Sequence, residues 1–151
     1  VDGIYDRADS ELLEHDDGNR RDVSEFSVLV SGILMSSLPR TISKPWGHEF
    51  LWAKTDRYVG KILHIRAGEA LSLQYHSIKD ETIMVIVGRI RFEGSELGER
   101  TIDRELVPGE PVHVPPGMVH RMSAIEDSQV LEVSTPELED VVRLEDKYGR
   151  A

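Results

Sequence analysis

Residues 68–88 read GEALSLQYHSIKDETIMVIVG, and residues 109–120 read GEPVHVPPGMVH. In the first stretch polar and apolar residues alternate, so on an extended chain Ser72, Gln74 and His76 share one face while Leu71, Leu73 and Tyr75 share the other. After a tight turn, Glu81 leads into a β-branched run that ends at Gly88. In the second stretch the corner Pro115-Pro116-Gly117 delivers His120 to a third strand. This spacing brings two imidazoles, one carboxylate and one amide oxygen toward the same interior.

Outward from these stretches the same punctuation continues. Short β-rich runs are read near residues 49–53, 58–65, 72–76, 82–87, 90–93, 101–106, 112–114, 119–123, 129–134 and 141–144. Gly and Pro pairs such as Ala67-Gly68 and Pro108-Gly109 separate them, and no long helical period competes. About ten short strands in one small domain predict an all-β sandwich or closed barrel, because an open sheet would leave pairing edges exposed.

The 151 residues leave room for one domain of ordinary size. Lys and Arg number 18 against 28 Asp and Glu, a net charge of −10 that repels polyanions, so no nucleic-acid partner is expected. The lack of cysteine excludes disulfide frameworks, thiolate metal sites and cysteine nucleophiles. The longest apolar stretch, Phe26 to Leu38, is interrupted by serines and a glycine and falls short of the ~18 residues of a membrane span. A cytoplasmic protein without a membrane partner is expected. Residues 1–25 hold nine acids and three bases, −6, which leaves −4 for the rest of the chain. Such a segment has too little apolar surface to offset its ordering entropy, so an acidic, flexible arm over residues 1–38 and a single domain over 39–151 are expected.

Gln74, His76, Glu81 and His120 form a donor set suited to a divalent Zn, Mn, Fe, Co or Ni ion. The same four side chains could instead be hydrogen-bonded interior polar groups without a metal. His64 and His113 lack ligand spacing. Glu132 stands between Leu131 and Val133 and so faces the opposite side, which makes it a candidate general base. Trp46 and Trp52 read as packing residues, and the acid-rich segment from Glu93 to Glu105 as a solvated face.

Both stretches resemble the paired motifs of the cupin superfamily, which implies a double-stranded β-helix, or jelly-roll, barrel. The first cupin motif usually has His where this chain has Gln74. Leu71-Ser72-Leu73-Gln74-Tyr75-His76 is similar to the cupin domain of type II mannose-6-phosphate isomerases, which carries Gln there. Lys44-Pro45-Trp46-Gly47 resembles that family's opening and Pro136 to Arg150 its closing segment, so the resemblance covers residues 44–150. It implies a metal-dependent sugar-phosphate isomerase acting on a phosphorylated sugar. It also implies a catalytic or phosphate-binding Arg143 and a catalytic pocket lysine at Lys61, where the plainer alternatives are a surface ion pair of Arg143 with Glu139 or Asp146 and a solvated lysine. Lys79 stands where the family has an arginine and could serve an anion as a point charge. Together with Ser72 on the polar face, it is assigned to substrate binding.

The chain departs from the isomerase pattern at Ile78, Lys79 and Ile83, and Ala124 replaces the Asn that commonly closes the second motif. The nucleotidyltransferase domain that precedes the cupin in bifunctional members has no counterpart in these residues. Two other classes therefore stand beside the isomerase: a binding module that holds a metal and a small molecule without turnover, and a cupin oxygenase or lyase. A homodimer is expected by analogy with other cupins.

Overall fold

The computed structural model describes residues 38–95 and 101–151. The acidic arm expected over residues 1–38 thus lies outside the described residues, Leu38 excepted. The described residues form eleven strands: β1 (Arg40–Lys44), β2 (Gly47–Lys54), β3 (Val59–Ile65), β4 (Leu73–Tyr75), β5 (Glu81–Val87), β6 (Ile90–Ser95), β7 (Ile102–Leu106), β8 (Pro111–Val114), β9 (Val119–Ala124), β10 (Ser128–Ser134) and β11 (Val142–Glu145). They pair antiparallel into a six-stranded sheet in the order β1-β2-β3-β10-β5-β8 and a five-stranded sheet in the order β11-β4-β9-β6-β7. No helix among the described residues is long and apolar enough to cross a membrane.

Each β-rich run of the sequence carries a strand. β1 is additional, because Arg40-Thr41-Ile42-Ser43-Lys44 offers a single apolar residue to an alternation argument. Its cavity-lining residues, Arg40, Ile42 and Lys44, show why the apolar signal is missing. β4 is shorter than the run read around it. Leu71 precedes the strand, packs against the core and lines the cavity on the same side as Ser72, so the alternation holds only from Ser72 onward.

Alternation along the strands divides the barrel interior into two halves. On β3, Leu63 and Ile65 are buried in the apolar core, whereas Lys61 two residues earlier is buried among charges. On β10, Val130 joins the core and Glu132 does not; on β5, Ile83 and Val85 follow the buried Glu81. The register aligns these changes, since Val130 pairs with both Leu63 and Val85 and Glu132 pairs with Lys61. Phe92, Leu63, Ile83, Ile90 and Val130 anchor the apolar half, each contributing about 1.5–3 kcal/mol by burial. That half makes a rigid floor. The other half is a cavity of about 310 Å³ with charged walls.

Candidate metal centre

Three strands and one turn build the floor of this cavity. Gln74 on β4 and His120 on β9 are direct cross-strand partners, which puts both side chains on the inward face. His76 follows β4, and its carbonyl accepts a 2.7 Å hydrogen bond from the Gly117 N–H, tying the Pro-Gly corner to the strand of Gln74. Gly117 adopts φ 84°, a left-handed conformation that costs an L side chain about 1–2 kcal/mol. Glu81 begins β5 after a four-residue turn and is 3 % exposed; His76 and His120 are each 1 % exposed.

Each imidazole is oriented by a backbone carbonyl. His120 Nδ1 lies 3.0 Å from the Met118 carbonyl, and His76 Nδ1 is hydrogen-bonded to the Asp140 carbonyl. A carbonyl only accepts, so Nδ1 carries the proton in both rings and the Nε2 lone pairs face inward. Glu81 Oε1 stands 3.4 Å from His120 Nε2 and 3.7 Å from His76 Nε2, and neither Nε2 has a hydrogen-bond partner. The three ligand atoms lie within 4.8 Å of one another. Buried acceptors converging with no hydrogen between them are costly by themselves, and a divalent cation satisfies all three at once. The donor set therefore fits a metal. Gln74 Oε1 accepts a 2.7 Å hydrogen bond from Ser72 Oγ and keeps a second lone pair, so its amide can add a fourth oxygen. Phe92, fully buried and stacked 6.4 Å from the His120 ring, backs that imidazole.

A ladder of alternating charge runs outward from Glu81. Lys79 donates to Glu81 Oε2 and, at 2.8 Å, to Glu132 Oε1; Lys61 lies 3.5 Å from Glu132 and 3.8 Å from Glu49; and Lys44 lies 3.3 Å from Glu49. Burial opposes the charge of Lys79, but the Glu132 and Glu81 carboxylates outweigh it and raise its pKa above the ordinary lysine range. Burial likewise pushes the Glu81 carboxyl up, and the Lys79 ammonium that donates to its Oε2 pulls it down.

The structure thus brings Ser72, Gln74, His76, Lys79, Glu81, Glu132, Lys61 and Arg143 to one cavity, with His120 buried beneath it. Lys61 and Lys79 are buried rather than solvated, and Glu132 faces inward as its position between Leu131 and Val133 requires. Arg143 pairs across the sheet with Gln74, and its buried Nε has no hydrogen-bond partner, unlike the surface ion pair weighed for it. Asp146 pairs instead with Arg150. His113 is exposed beside Asp80, and His48 stacks on His64 with ring centroids 4.2 Å apart outside this cavity.

Sequence reasoning missed Asp140. Its carboxylate accepts from the backbone N–H groups of Ser77, Ile78 and Lys79 at 3.0, 2.6 and 2.8 Å, so it clamps the turn between His76 and Glu81. These amides, Lys79 and Ile78 foremost, hold its carboxyl down at about 2. Its carbonyl also fixes the His76 ring. Its place between Glu139 and Val141, in an acid-rich part of the closing segment, gave no hint of that contact. Arg40, Lys44 and Glu49 on the cavity wall were missed as well.

A buried His–Glu–His set with an adjacent Gln, at the polar end of a two-sheet antiparallel barrel, defines this protein as a cupin. Residues 35–146 match the family described as "Mannose-6-phosphate isomerase C-terminal", and the chain belongs to that family. It is similar to the mannose-1-phosphate guanylyltransferase ManC of Salmonella typhimurium, 31 % identical over 119 residues that cover 74 % of this chain and 23 % of the relative. The chain thus spans about a quarter of that relative's length, and the relative is named for guanylyl transfer rather than isomerisation. Among solved structures, the capsular polysaccharide assembling protein CapF of Staphylococcus aureus shares the fold with a TM-score of 0.59 and 20 % identity over 74 % of this chain and 35 % of that one. Oxalate decarboxylase of Bacillus subtilis shares it with a TM-score of 0.62 and 14 % identity over 72 % and 30 % of the two chains.

Proposed function

We propose that this cupin is a metal-dependent isomerase of a phosphorylated sugar, of the aldose–ketose kind that interconverts mannose 6-phosphate and its ketose isomer. The observation that carries this reading is the pair of buried, partnerless Nε2 atoms facing Glu81 at the floor of a cavity walled by charged side chains. His76, His120, Glu81 and Gln74 would hold a divalent ion. Such an ion supplies a Lewis acid for a sugar carbonyl or its neighbouring hydroxyl.

The remaining residues divide the work by position. Glu81 is committed to its imidazoles and to Lys79; of the other inward carboxylates, Glu132 shares Lys79 with Glu81 whereas Glu49 lies one lysine further out, so Glu132 takes the proton from the carbon beside the carbonyl and returns it to the former carbonyl carbon. Lys79 and Lys61 hold that carboxylate in place from two sides. Arg143, with an unpartnered buried Nε on the wall beside Gln74, binds the phosphate or the developing oxyanion. Ser72 orients Gln74 through its hydrogen bond and lines the substrate's path.

Incubation with mannose 6-phosphate in deuterated water, followed by NMR, tests the proposal. Ketose formation with deuterium entering at the transferred position is expected, lost on chelation and in Glu132→Gln. Binding of the sugar phosphate with no exchange in the metal-loaded protein would refute turnover and leave the binding module. Oxygen consumption with an iron-loaded protein would point to the oxygenase.

A further inference from the structure

Six Lys and Arg side chains and four Glu side chains line the cavity, an excess of cations in a chain whose net charge is −10. Four of the six cations are committed to carboxylates. Lys44, Lys61 and Lys79 belong to the ladder with Glu49, Glu132 and Glu81, and Arg150 pairs with Asp146. Arg143 and Arg40 remain. Among the described residues, neither guanidinium has an ion pair or a hydrogen-bond partner.

Strand register puts these two arginines at different places. On the five-stranded sheet Arg143 pairs with Gln74 and Gln74 with His120, so Arg143 stands in the row of the metal donors. On the six-stranded sheet Arg40 pairs with Leu51, Leu51 with Lys61 and Lys61 with Glu132. All four residues of this second row line the cavity. Arg40 therefore shares a row with the carboxylate assigned as the base, three strand spacings away, or roughly 14 Å at ~4.8 Å per strand. Between them Leu51 is fully buried and offers no polar atom, and Lys61 already serves Glu132 and Glu49. Arg40 lies on the edge strand β1 and is exposed, which places it at the cavity's mouth.

We infer that Arg40 binds the substrate's phosphate at the end of the sugar remote from the reacting carbonyl, and that Arg143 serves the reacting end. The inference rests on the sugar-phosphate reading of the cavity and divides two duties between two arginines. Length decides the division. In an open-chain hexose 6-phosphate six bonds separate C2 from phosphorus, roughly 7 Å when extended, and the six bonds from the Cα of an arginine to its Nη add about as much. With C1 and C2 beside Glu132, the two lengths together close the gap along the row and the phosphate meets the Arg40 guanidinium. A phosphate on Arg143 would instead lie in the row of Gln74 and His120, where it competes with the carbonyl for the same end of the cavity. The chemistry suits Arg40, because a planar, permanently charged fork matches two phosphate oxygens at once. Aldose and ketose differ only at C1 and C2, so a phosphate on C6 is held alike throughout the reaction and Arg40 supplies uniform binding.

Isothermal titration calorimetry of the full chain, equilibrated with Zn and titrated with mannose 6-phosphate, tests the inference. Arg40→Gln is expected to weaken binding roughly 10- to 100-fold, the loss of a charge-assisted contact, with metal content and circular dichroism unchanged. Arg40→Lys keeps the charge without the fork and should recover part of the affinity. Arg89→Gln removes the same charge from an exposed pair with Glu105 outside the cavity and should bind as the wild type does. In turnover, Arg40→Gln is expected to raise KM by the factor lost in binding and to leave kcat nearly unchanged, whereas Arg143→Gln lowers kcat. An Arg40→Gln protein that binds as tightly as the wild type overturns the inference and leaves the sugar-phosphate reading standing, as does an equal loss in Arg89→Gln. A wild type that does not bind mannose 6-phosphate overturns both. Binding that depends on Arg40 without deuterium exchange upholds the phosphate site and refutes turnover.

Discussion

Replacing Lys79 by methionine removes the cation that separates two buried carboxylates. Lys79, Glu81 and Glu132 have side chains 5 %, 3 % and 6 % exposed, so solvent cannot take over the lost ammonium. Taking one partner from a buried ion network costs about 3–5 kcal/mol, most of it from the carboxylates left without a counter-charge. For a domain of this size that is a fall in Tm of about 10–20 °C in metal-free protein. A bound divalent ion supplies charge to Glu81, so metal should raise the Tm of Lys79→Met by more than it raises that of the wild type. Removing Glu132 as well, in Lys79→Met/Glu132→Met, takes away one of the two stranded acids; about 1–3 kcal/mol should return relative to the sum of the single changes. Urea denaturation of the chelated proteins, monitored by circular dichroism, measures each corner of the cycle. A loss below about 1 kcal/mol in Lys79→Met, or additive single changes, would show that the ladder carries no mutual dependence and would refute the reasoning.

Asp140→Ala releases the turn between His76 and Glu81 and should weaken metal affinity roughly 10- to 100-fold, read by competition with a chromogenic chelator, while leaving the barrel's circular dichroism unchanged. Gly117→Ala places a Cβ at φ 84° and should cost about 1–2 kcal/mol in urea denaturation, although nothing lies within 4 Å of that Cβ to clash with it. Asp146 is held at about 2, chiefly by the side chain of Arg150. Its folded pKa lies below the unfolded value, so its contribution to stability is full above pH 4 and is lost as pH falls toward 2. Asp146→Asn should flatten the stability profile over that window and leave it unchanged in shape above pH 5; an equally steep acid limb would contradict the pairing.

How far the sequence discloses this site depends on which part of each residue does the work. Side-chain identity and strand period place Ser72, Gln74 and His76 on one face, and the Pro-Gly corner before β9 places His120, because both rest on local rules. Glu132 is readable for the same reason, as a lone acid between two apolar residues of a strand. Asp140 is not. One of its two contributions is a backbone carbonyl, which every residue possesses, and the other closes a contact across 61 to 63 positions that no local pattern records. β1 is hidden for a related reason: Arg40 and Lys44 face a polar cavity, so an inward strand reads as a charged one. Charge is also ambiguous in Lys61 and Lys79, whose burial follows from carboxylates on other strands and could not be told from a solvated side chain in the linear order.

Elemental analysis of the full chain, purified without a histidine tag, equilibrated with Zn, Mn, Fe, Co and Ni salts and freed of unbound ions by gel filtration, tests the central claim most directly. One divalent ion per chain is predicted in the wild type and none in His120→Ala, the residue whose Nε2 faces Glu81 with no other partner. A wild-type protein that stays metal-free, or one whose bound metal survives His120→Ala undiminished, would contradict it.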